Sequence, residues 1–181
     1  MSDDPRPAAP YPPPRALSTA RLRIRPFVRD DAAFIVAMLN DPDWIRFIGQ
    51  RNIASLDDAR NYLDSGPIAM YAEHGLGLCA VERRDDRAVI GMCGLIRRPG
   101  LDAVDIGYAL LPAARGQGFA EEAARAVLEH GSRELGIGRI VAILDPANVR
   151  SVRVLERIGM RQEGEVVLPS SDTPLALYAT A

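Results

Sequence analysis

The chain has 181 residues, of which 48% are hydrophobic, and a formal net charge of -2 at pH 7. This length is enough for one globular domain with a sizeable core. The near-neutral charge and the lack of a basic, aromatic-rich cluster argue against nucleic acid as a partner.

All of the basic side chains apart from two histidines are arginines, because the sequence contains no lysine. This excludes a Walker-type phosphate loop, a Schiff-base enzyme and a lysine nucleophile. Cys79 and Cys93 are far apart in sequence, so neither a metal site nor a disulfide framework is expected. No segment is apolar enough for a membrane span or a signal peptide, and a reducing cytoplasm is therefore predicted.

The N-terminal residues 1–15 are rich in proline and predict a disordered tail, with the folded domain at residues 16–181. A docking motif for a proline-reading partner is the alternative for this tail.

The first half of the domain is predicted to begin with a strand at 21–27, followed by a helix that is opened by Asp30 and Asp31 and ends at 40–42. An apolar turn at 44–49 comes next. The following helix runs from Ser55 to about Ser65, is broken by Gly66 and Pro67, and is followed by a short helix that ends at Gly75.

Three strands follow at 78–82, 88–96 and 103–111, and the short loops between them predict an antiparallel meander. A helix then precedes a strand at 139–144, which is expected to be parallel to the strand ending at Leu111 because a helical crossover joins them. The chain ends with a helix capped by Asn148 and terminated by Gly159, and strands at 161–168 and 175–179. Together these predict a mixed α/β (α+β) fold with a sheet of about seven strands and four or so helices.

The stretch at residues 115–120, Arg-Gly-Gln-Gly-Phe-Ala, joins a strand to a helix, and we call it the phosphate turn. Gly116 and Gly118 allow the backbone to approach an anion closely. The following helix offers unpaired N–H groups and a partial positive charge at its start, and Arg115 adds a mobile positive charge beside them. The pattern predicts phosphate binding, with a merely flexible loop as the alternative.

A dinucleotide-binding turn is a second alternative, because Gly116 and Gly118 follow a strand. The third small residue of that fingerprint would fall at Glu121, and the strand follows a meander instead of opening a parallel sheet. Both features weigh against this class of site.

Several motifs together resemble one family. They are Asp105-Ile106-Gly107-Tyr108, the phosphate turn, Asn148-x-x-Ser151 followed by Leu155-Glu156-Arg157-Ile158-Gly159-Met160, and Leu177-Tyr178. In this order and spacing they are similar to the GNAT superfamily of acetyl-CoA-dependent N-acetyltransferases, in particular its RimJ/RimL-like branch of ribosomal-protein N-terminal acetyltransferases. The resemblance covers residues 18–181.

The resemblance implies that acetyl-CoA lies between two splayed parallel strands ending near Leu111 and Leu144, with no metal. Its pyrophosphate would bind the N–H groups of the phosphate turn, and its pantetheine arm would pair with the backbone near Tyr108 and Leu110. The implied cofactor-binding residues are Tyr108, Leu110, Leu111, Arg115, Gly116, Gln117, Gly118, Phe119, Ala120, Asn148 and Ser151.

Direct attack of an amine on a thioester needs a proton acceptor for the amine and a proton donor for the departing thiolate. Many family members place a tyrosine where this chain has Leu155, so Ser151 is the predicted donor, assisted by Asn148. A capping role for both residues is the alternative. Asp105 is the predicted base, because burial could raise its pKa, and the alternatives are Glu163 and Glu165.

Trp44, Phe47 and Arg51 are predicted to contact the acceptor, with ordinary core packing as the alternative for the two aromatic residues. The acceptor is an amine, either a protein N-terminus or a small molecule, and membrane and nucleic-acid partners are not expected. Many relatives form homodimers, so a homodimer is possible here too. The alternative functions are an acyl-CoA-binding protein without catalysis and a dinucleotide-binding enzyme.

Overall fold

A computed structural model of the chain describes residues 11–181, which form one sheet with helices on both faces. The strands run in the order β1-β2-β3-β4-β5-β6-β8-β7. Their bounds are Leu17–Ser18 (β1), Leu22–Pro26 (β2), Gly77–Arg83 (β3), Val89–Ile96 (β4), Val104–Leu110 (β5), Ile140–Leu144 (β6), Arg161–Val166 (β7) and Leu175–Ala179 (β8). The mixed α/β fold predicted from the sequence is therefore confirmed, with one strand more than predicted. The additional strand β1 has two residues, which is too short to show an alternating pattern.

The α-helices are Ala32–Leu39 (α1), Pro42–Phe47 (α2), Leu56–Leu63 (α3), Ala69–His74 (α4), Phe119–Glu129 (α5) and Val149–Arg157 (α6). A 3-10 turn at Arg29–Asp31 leads into α1, another at Pro112–Ala114 precedes the phosphate turn, and π-helical turns at Asp64–Ile68 and His130–Glu134 follow α3 and α5. No helix within residues 11–181 has the length and apolar character that crossing a membrane requires.

Two local predictions about the first helices were wrong. The predicted apolar turn at 44–49 begins as the helix α2, because the Asp41 side chain accepts a hydrogen bond from the Trp44 N–H and Pro42 occupies the first helical position, where its missing N–H costs nothing. The predicted break at Gly66 and Pro67 is a π-helical turn that connects α3 to α4 directly. The helix predicted to start at Ser55 does so, with Ser55 and Asp58 forming a capping box.

The predicted tail lies mostly outside the described residues, which begin at Tyr11. Its last residues are described and contact the domain. The Tyr11 N–H donates a 3.0 Å hydrogen bond to the His74 carbonyl, and Arg15 forms an ion pair with Glu134. The proposed boundary at residue 15 stays a prediction.

Helices cover both faces of the sheet and create two hydrophobic cores. One core packs α5 and α6 against the sheet, with Phe119, Val127 and Leu155 among its buried members. The other core packs α1, α2 and α3 against the opposite face around Ile35 and Trp44. The site lies where α2, on one face, comes near the phosphate turn and α6, on the other face, beside the diverging ends of β5 and β6.

Candidate active site

A cleft of about 310 Å³ opens between the end of β5, the phosphate turn and the N-terminal part of α6, with α2 as its opposite wall. This volume is at the lower end of the range of small-molecule sites. Most of the residues predicted from the sequence line it, namely Trp44, Phe47, Tyr108, Leu110, Arg115, Gly116, Gly118, Phe119, Ala120, Asn148 and Ser151.

The floor of the cleft is formed by the divergence of β5 from β6. The two strands are parallel, as predicted, and pair only at Val104 with Ile140 and at Asp105 with Val141. The Leu111 N–H donates to Ile90 of β4 on the other side. Because hydrogen-bonding direction alternates along a strand, the N–H and C=O groups of Tyr108 and Leu110 are directed toward the gap. The sheet therefore offers a free strand edge inside the cleft, on which only the Leu110 carbonyl already accepts a hydrogen bond, from the Arg115 side chain.

The phosphate turn presents a row of free N–H groups. Gly116 and Gly118 have φ angles of 75° and 80°, a left-handed conformation that disfavours a side chain. The first backbone hydrogen bond of α5 is donated by Glu122 to Gly118, so the N–H groups between Gly116 and Glu121 have no acceptor among the described residues. Gly118 caps the helix without a side chain, which leaves these donors and the positive helix end available to an anion.

Two details of the predicted anion site need correction, and both concern Arg115. Its N–H donates to the Pro112 carbonyl at 3.2 Å, so the free row begins one residue later, at Gly116. Its side chain is not a mobile charge. It donates to the Leu110 carbonyl (3.0 Å) and forms ion pairs with Asp41 (2.6 Å) and Asp43 (2.7 Å).

Arg21, which the sequence analysis did not identify as a site residue, contacts the phosphate turn and the start of α5. Its guanidinium donates to the Gln117 carbonyl at 2.9 Å and to Glu122 at 2.7 Å, and it stacks over the Phe119 ring with 4.4 Å to the ring centroid. These contacts order the turn before any ligand arrives, which lowers the entropic cost of binding.

The first turn of α6 brings Asn148 and Ser151 into the cleft. Asn148 caps the helix by accepting a 3.3 Å hydrogen bond from the Ser151 N–H, as its position predicted. The Ser151 carbonyl accepts a 2.9 Å hydrogen bond from the Tyr108 hydroxyl. The Ser151 hydroxyl itself has no hydrogen-bond partner among residues 11–181, so it is available to a ligand.

Asp105, the predicted base, does not line the cleft. It is buried where β5 and β6 are still paired, and its Oδ2 accepts a 2.8 Å hydrogen bond from Arg98. Burial raises its pKa to about 6, and the nearby Arg98 guanidinium opposes this shift. The sequence argument anticipated the direction of the shift, but the cleft is lined by other carboxylates.

Three further predicted residues lie apart from the cleft. Leu111 packs against the second hydrophobic core, and its N–H donates to Ile90 of β4. The Gln117 side chain folds back onto the Ala113 carbonyl at 2.9 Å. Arg51 is exposed beyond α2.

The alternative bases also lie elsewhere. Glu163 is held by Arg139 at 2.6 Å on the edge strand β7, and Glu165 is an exposed residue of the same strand.

Three charged residues that the sequence did not reveal also line the cleft, two at the start of α2 and one in α6. Asp41, Asp43 and Arg150 line the cleft together with Trp44 and Phe47. No local pattern marks them as functional, because their partners are distant in sequence: Asp43 is 72 residues from Arg115 and 107 residues from Arg150.

Comparison with known proteins agrees with this architecture. The family model of the acetyltransferase (GNAT) domain matches residues 21–161. The uncharacterized N-acetyltransferase YnaD of Bacillus subtilis is 30% identical over 148 residues, which cover 82% of this chain and 84% of that protein. A GNAT-family acetyltransferase structure from Bacillus anthracis is 28% identical, with a TM-score of 0.75 and coverage of 91% of this chain and 96% of that one.

The fold also matches the ribosomal-protein-S5-alanine acetyltransferase of Vibrio fischeri. That structure has a TM-score of 0.75 at 19% identity, with coverage of 92% of this chain and 96% of the other. At this identity the match concerns the fold. Taken with the family match and the free strand edge beside the phosphate turn, these comparisons show that the chain belongs to the GNAT superfamily and is an acyltransferase.

Proposed function

We propose that the chain is an acetyl-CoA-dependent N-acetyltransferase that acetylates a primary amine by direct attack in a ternary complex. The observation that carries this proposal is the row of free N–H groups from Gly116 to Glu121, next to the open edge of β5. Anionic phosphates suit the uncapped helix start, and an extended amide-bearing arm suits a free strand edge. The family membership supports the same cosubstrate.

Acetyl-CoA supplies an activated acyl group in the form of a thioester. The chain's own part begins with binding: the N–H groups of the phosphate turn hold the pyrophosphate, and the N–H groups of Tyr108 and Leu110 hold the amide-bearing arm. An N–H at this edge, directed at a carbonyl oxygen, would stabilise negative charge that develops there during acyl transfer.

Proton transfer is assigned to two side chains, of which only Ser151 lines the cleft. In the transfer step the N–C bond forms and the C–S bond breaks, and the Ser151 hydroxyl donates its proton to the departing sulfur and takes back the proton that the attacking nitrogen loses. The amine must lose a proton before or during attack. Asp105, the base predicted from the sequence, does not line the cleft, so as the base it would take this proton through intervening water.

The finer assignments are proposals too. The RimJ/RimL-like branch implies that the acceptor is a protein N-terminal amine, and the similar fold of the Vibrio fischeri enzyme supports this, while a small-molecule amine is the alternative. A homodimer and a cytoplasmic location stay predictions. The dinucleotide alternative is disfavoured because β5 and β6 form the one parallel pairing of the described sheet, whereas that class needs a largely parallel sheet.

Thermal unfolding with acetyl-CoA, CoA, NAD and NADP in parallel tests the proposal. A ligand at a hundred times its dissociation constant should add about 2.7 kcal/mol to the free energy of unfolding. We expect stabilisation by acetyl-CoA and CoA, followed by thiol release in the presence of amines. Stabilisation by NAD or NADP instead would overturn the proposal, and binding without thiol release on any amine would leave an acyl-CoA-binding protein.

A further inference from the structure

The cosubstrate assignment uses one side of the cleft and leaves the α2 wall without a role. This wall presents the aromatic side chains of Trp44 and Phe47, with Ile48 beside them, and it carries the carboxylate of Asp43. Trp44 is largely buried, and its indole N–H has no acceptor among the described residues. A wall of this kind suits an organic ligand with an apolar skeleton.

Three carboxylates line the cleft, but they differ in how much of each is available. Asp41 is 5% exposed, and its Oδ2 accepts from both Arg115 and the Trp44 N–H, so it has a structural role. Glu121 lies at the phosphate turn and pairs with Arg125 and Arg157. The Asp43 side chain is 33% exposed.

The two oxygens of Asp43 are used unequally. Arg115 and Arg150 both donate to Oδ2, and Oδ1 has no hydrogen-bond partner among residues 11–181. Asp43 therefore retains one carboxylate oxygen that can accept hydrogen bonds from a ligand.

Asp43 also lies close to the place where transfer would occur. Arg115, which binds Asp43 at 2.7 Å, donates at the same time to the Leu110 carbonyl at the open edge of β5. Arg150, its other partner, directly precedes Ser151 in α6. Arg115 thus links Asp43 to β5, and Arg150 links it to α6, and these are the two elements that bound the gap.

We propose that Asp43 binds the ammonium group of the acceptor through its free Oδ1, while Trp44 and Phe47 pack against an apolar skeleton that carries this group. The acceptor would then be a primary amine on an aromatic or aliphatic carbon skeleton. A carboxylate–ammonium hydrogen bond is among the stronger polar interactions in a partly dry site. This inference rests on the proposed N-acetyltransferase function and adds the substrate class and the residue that selects it.

Arg150 makes the inference testable in both directions. Its side chain is 62% exposed and shares Asp43 with Arg115, so it competes electrostatically with a bound ammonium. Removing the Arg150 charge should strengthen ammonium binding, whereas removing the Asp43 charge should weaken it. If the Asp43–Arg150 ion pair were merely structural, both substitutions would weaken ammonium binding.

The experiment measures binding of 2-phenylethylammonium and of its neutral analogue 2-phenylethanol to the full chain by calorimetric titration, with and without saturating CoA. We expect wild type to prefer the ammonium by about tenfold, Asp43→Asn to lose this preference, and Arg150→Gln to increase it about two- to threefold. Asp57→Asn is the matched control, since Asp57 is an 85% exposed carboxylate that pairs with Arg60 on α3, away from the cleft.

Three outcomes would overturn the inference: no binding of the ammonium to wild type, an unchanged preference in Asp43→Asn, or an equal loss of preference in Arg150→Gln. CoA binding is followed separately by thermal unfolding in every variant. Failure of wild type to bind CoA or acetyl-CoA would contradict the proposed function, and the titration without CoA would still decide the role of Asp43. Normal CoA binding with no ammonium preference would contradict this inference alone.

Discussion

The Tyr108 hydroxyl donates a 2.9 Å hydrogen bond to the backbone carbonyl of Ser151. This bond joins the divergent end of β5 to the first turn of α6, so it spans the two elements that bound the cleft. Burial raises the pKa of Tyr108 well above its ordinary value, which keeps the hydroxyl protonated and able to donate at any physiological pH. This link between β5 and α6 therefore persists across the physiological pH range.

We expect Tyr108→Phe to lower the free energy of unfolding by about 0.5 to 1.5 kcal/mol, the usual net contribution of one hydrogen bond. Acetyl-CoA affinity should fall as well, because the first turn of α6 loses its link to β5. Chemical denaturation and calorimetric titration measure the two effects. Tyr62→Phe is the control, since Tyr62 is a partly buried tyrosine that packs on the other core. Equal effects of the two substitutions would contradict a special role for Tyr108.

Gly118→Val should weaken acetyl-CoA binding by about tenfold or more, equivalent to about 1.4 kcal/mol. A β-branched side chain is strained at a φ of 80°, and the new Cβ would lie 3.4 Å from the Arg21 guanidinium that supports the phosphate turn. Gly136→Val is the matched control, because Gly136 has a φ of 67°, no atoms near its Cβ position and a location outside the cleft. Titration of both variants with acetyl-CoA is the measurement. Similar affinities in the two variants would show that the phosphate turn does not bind the cosubstrate.

Ser151→Ala should lower kcat by about 10- to 100-fold if the hydroxyl acts as the proton donor, within or below the usual range for general acid catalysis. Acetyl-CoA affinity should change less than about twofold, since the hydroxyl makes no hydrogen bond within residues 11–181 and the Asn148 cap uses the backbone. Steady-state thiol release gives kcat, and titration gives the affinity. Ser151→Cys, which keeps a proton donor, should recover part of the rate. Unchanged kinetics in Ser151→Ala would show that Ser151 contributes only through its backbone, whose N–H donates to the Asn148 cap.

Asp105→Asn should change how stability depends on pH. The pKa of Asp105 is raised to about 6 by burial, so the folded state binds this proton more tightly than the unfolded state does. The contribution of Asp105 to stability is therefore complete below about pH 4 and lost as the pH rises through 6. Relative to Asp105→Asn, wild type should lose about 1 to 3 kcal/mol between pH 4 and pH 7.

Chemical denaturation at a series of pH values measures this difference. Asp102→Asn, which changes an exposed aspartate three residues away, is expected to follow the wild-type profile. Parallel profiles for wild type and Asp105→Asn would show that Asp105 titrates as an ordinary solvated carboxylate.

Much of the central fold could be predicted from the sequence because its signals are local. Gly116 and Gly118 mark a turn that needs a left-handed backbone conformation. Asn148 and Gly159 mark the two ends of α6. The helical crossover through α5 makes β5 and β6 parallel. The signals at the turn and at the helix ends act within one or two turns of chain. The residues on the cofactor side of the cleft were implied by the family resemblance that these motifs carry.

The sequence predicted the structure less well where the same residues are compatible with two different local structures. Pro42 was interpreted as the end of α1, yet it also begins α2, because a proline tolerated at the first helical position fits both readings. Gly66 and Pro67 predict a break, but the chain stays helical there through a π-helical turn. Asp105 was expected near the reacting groups because it lies on β5, and only the position of the strand divergence shows that it lies outside the cleft.

The chain's sequence by itself determined the order of its elements, the phosphate turn and the family motifs, because those depend on residues close together along the chain. The tertiary structure alone decided which charges meet across the cleft. Asp43 is brought to Arg115 and Arg150 by the packing of α2 and α6 on opposite faces of one sheet. Arg21, which directly precedes β2, is brought to the phosphate turn by the packing of α5 near that strand. Such contacts leave no periodic trace in the sequence, since ion pairs between distant residues depend on position in space and not on spacing along the chain.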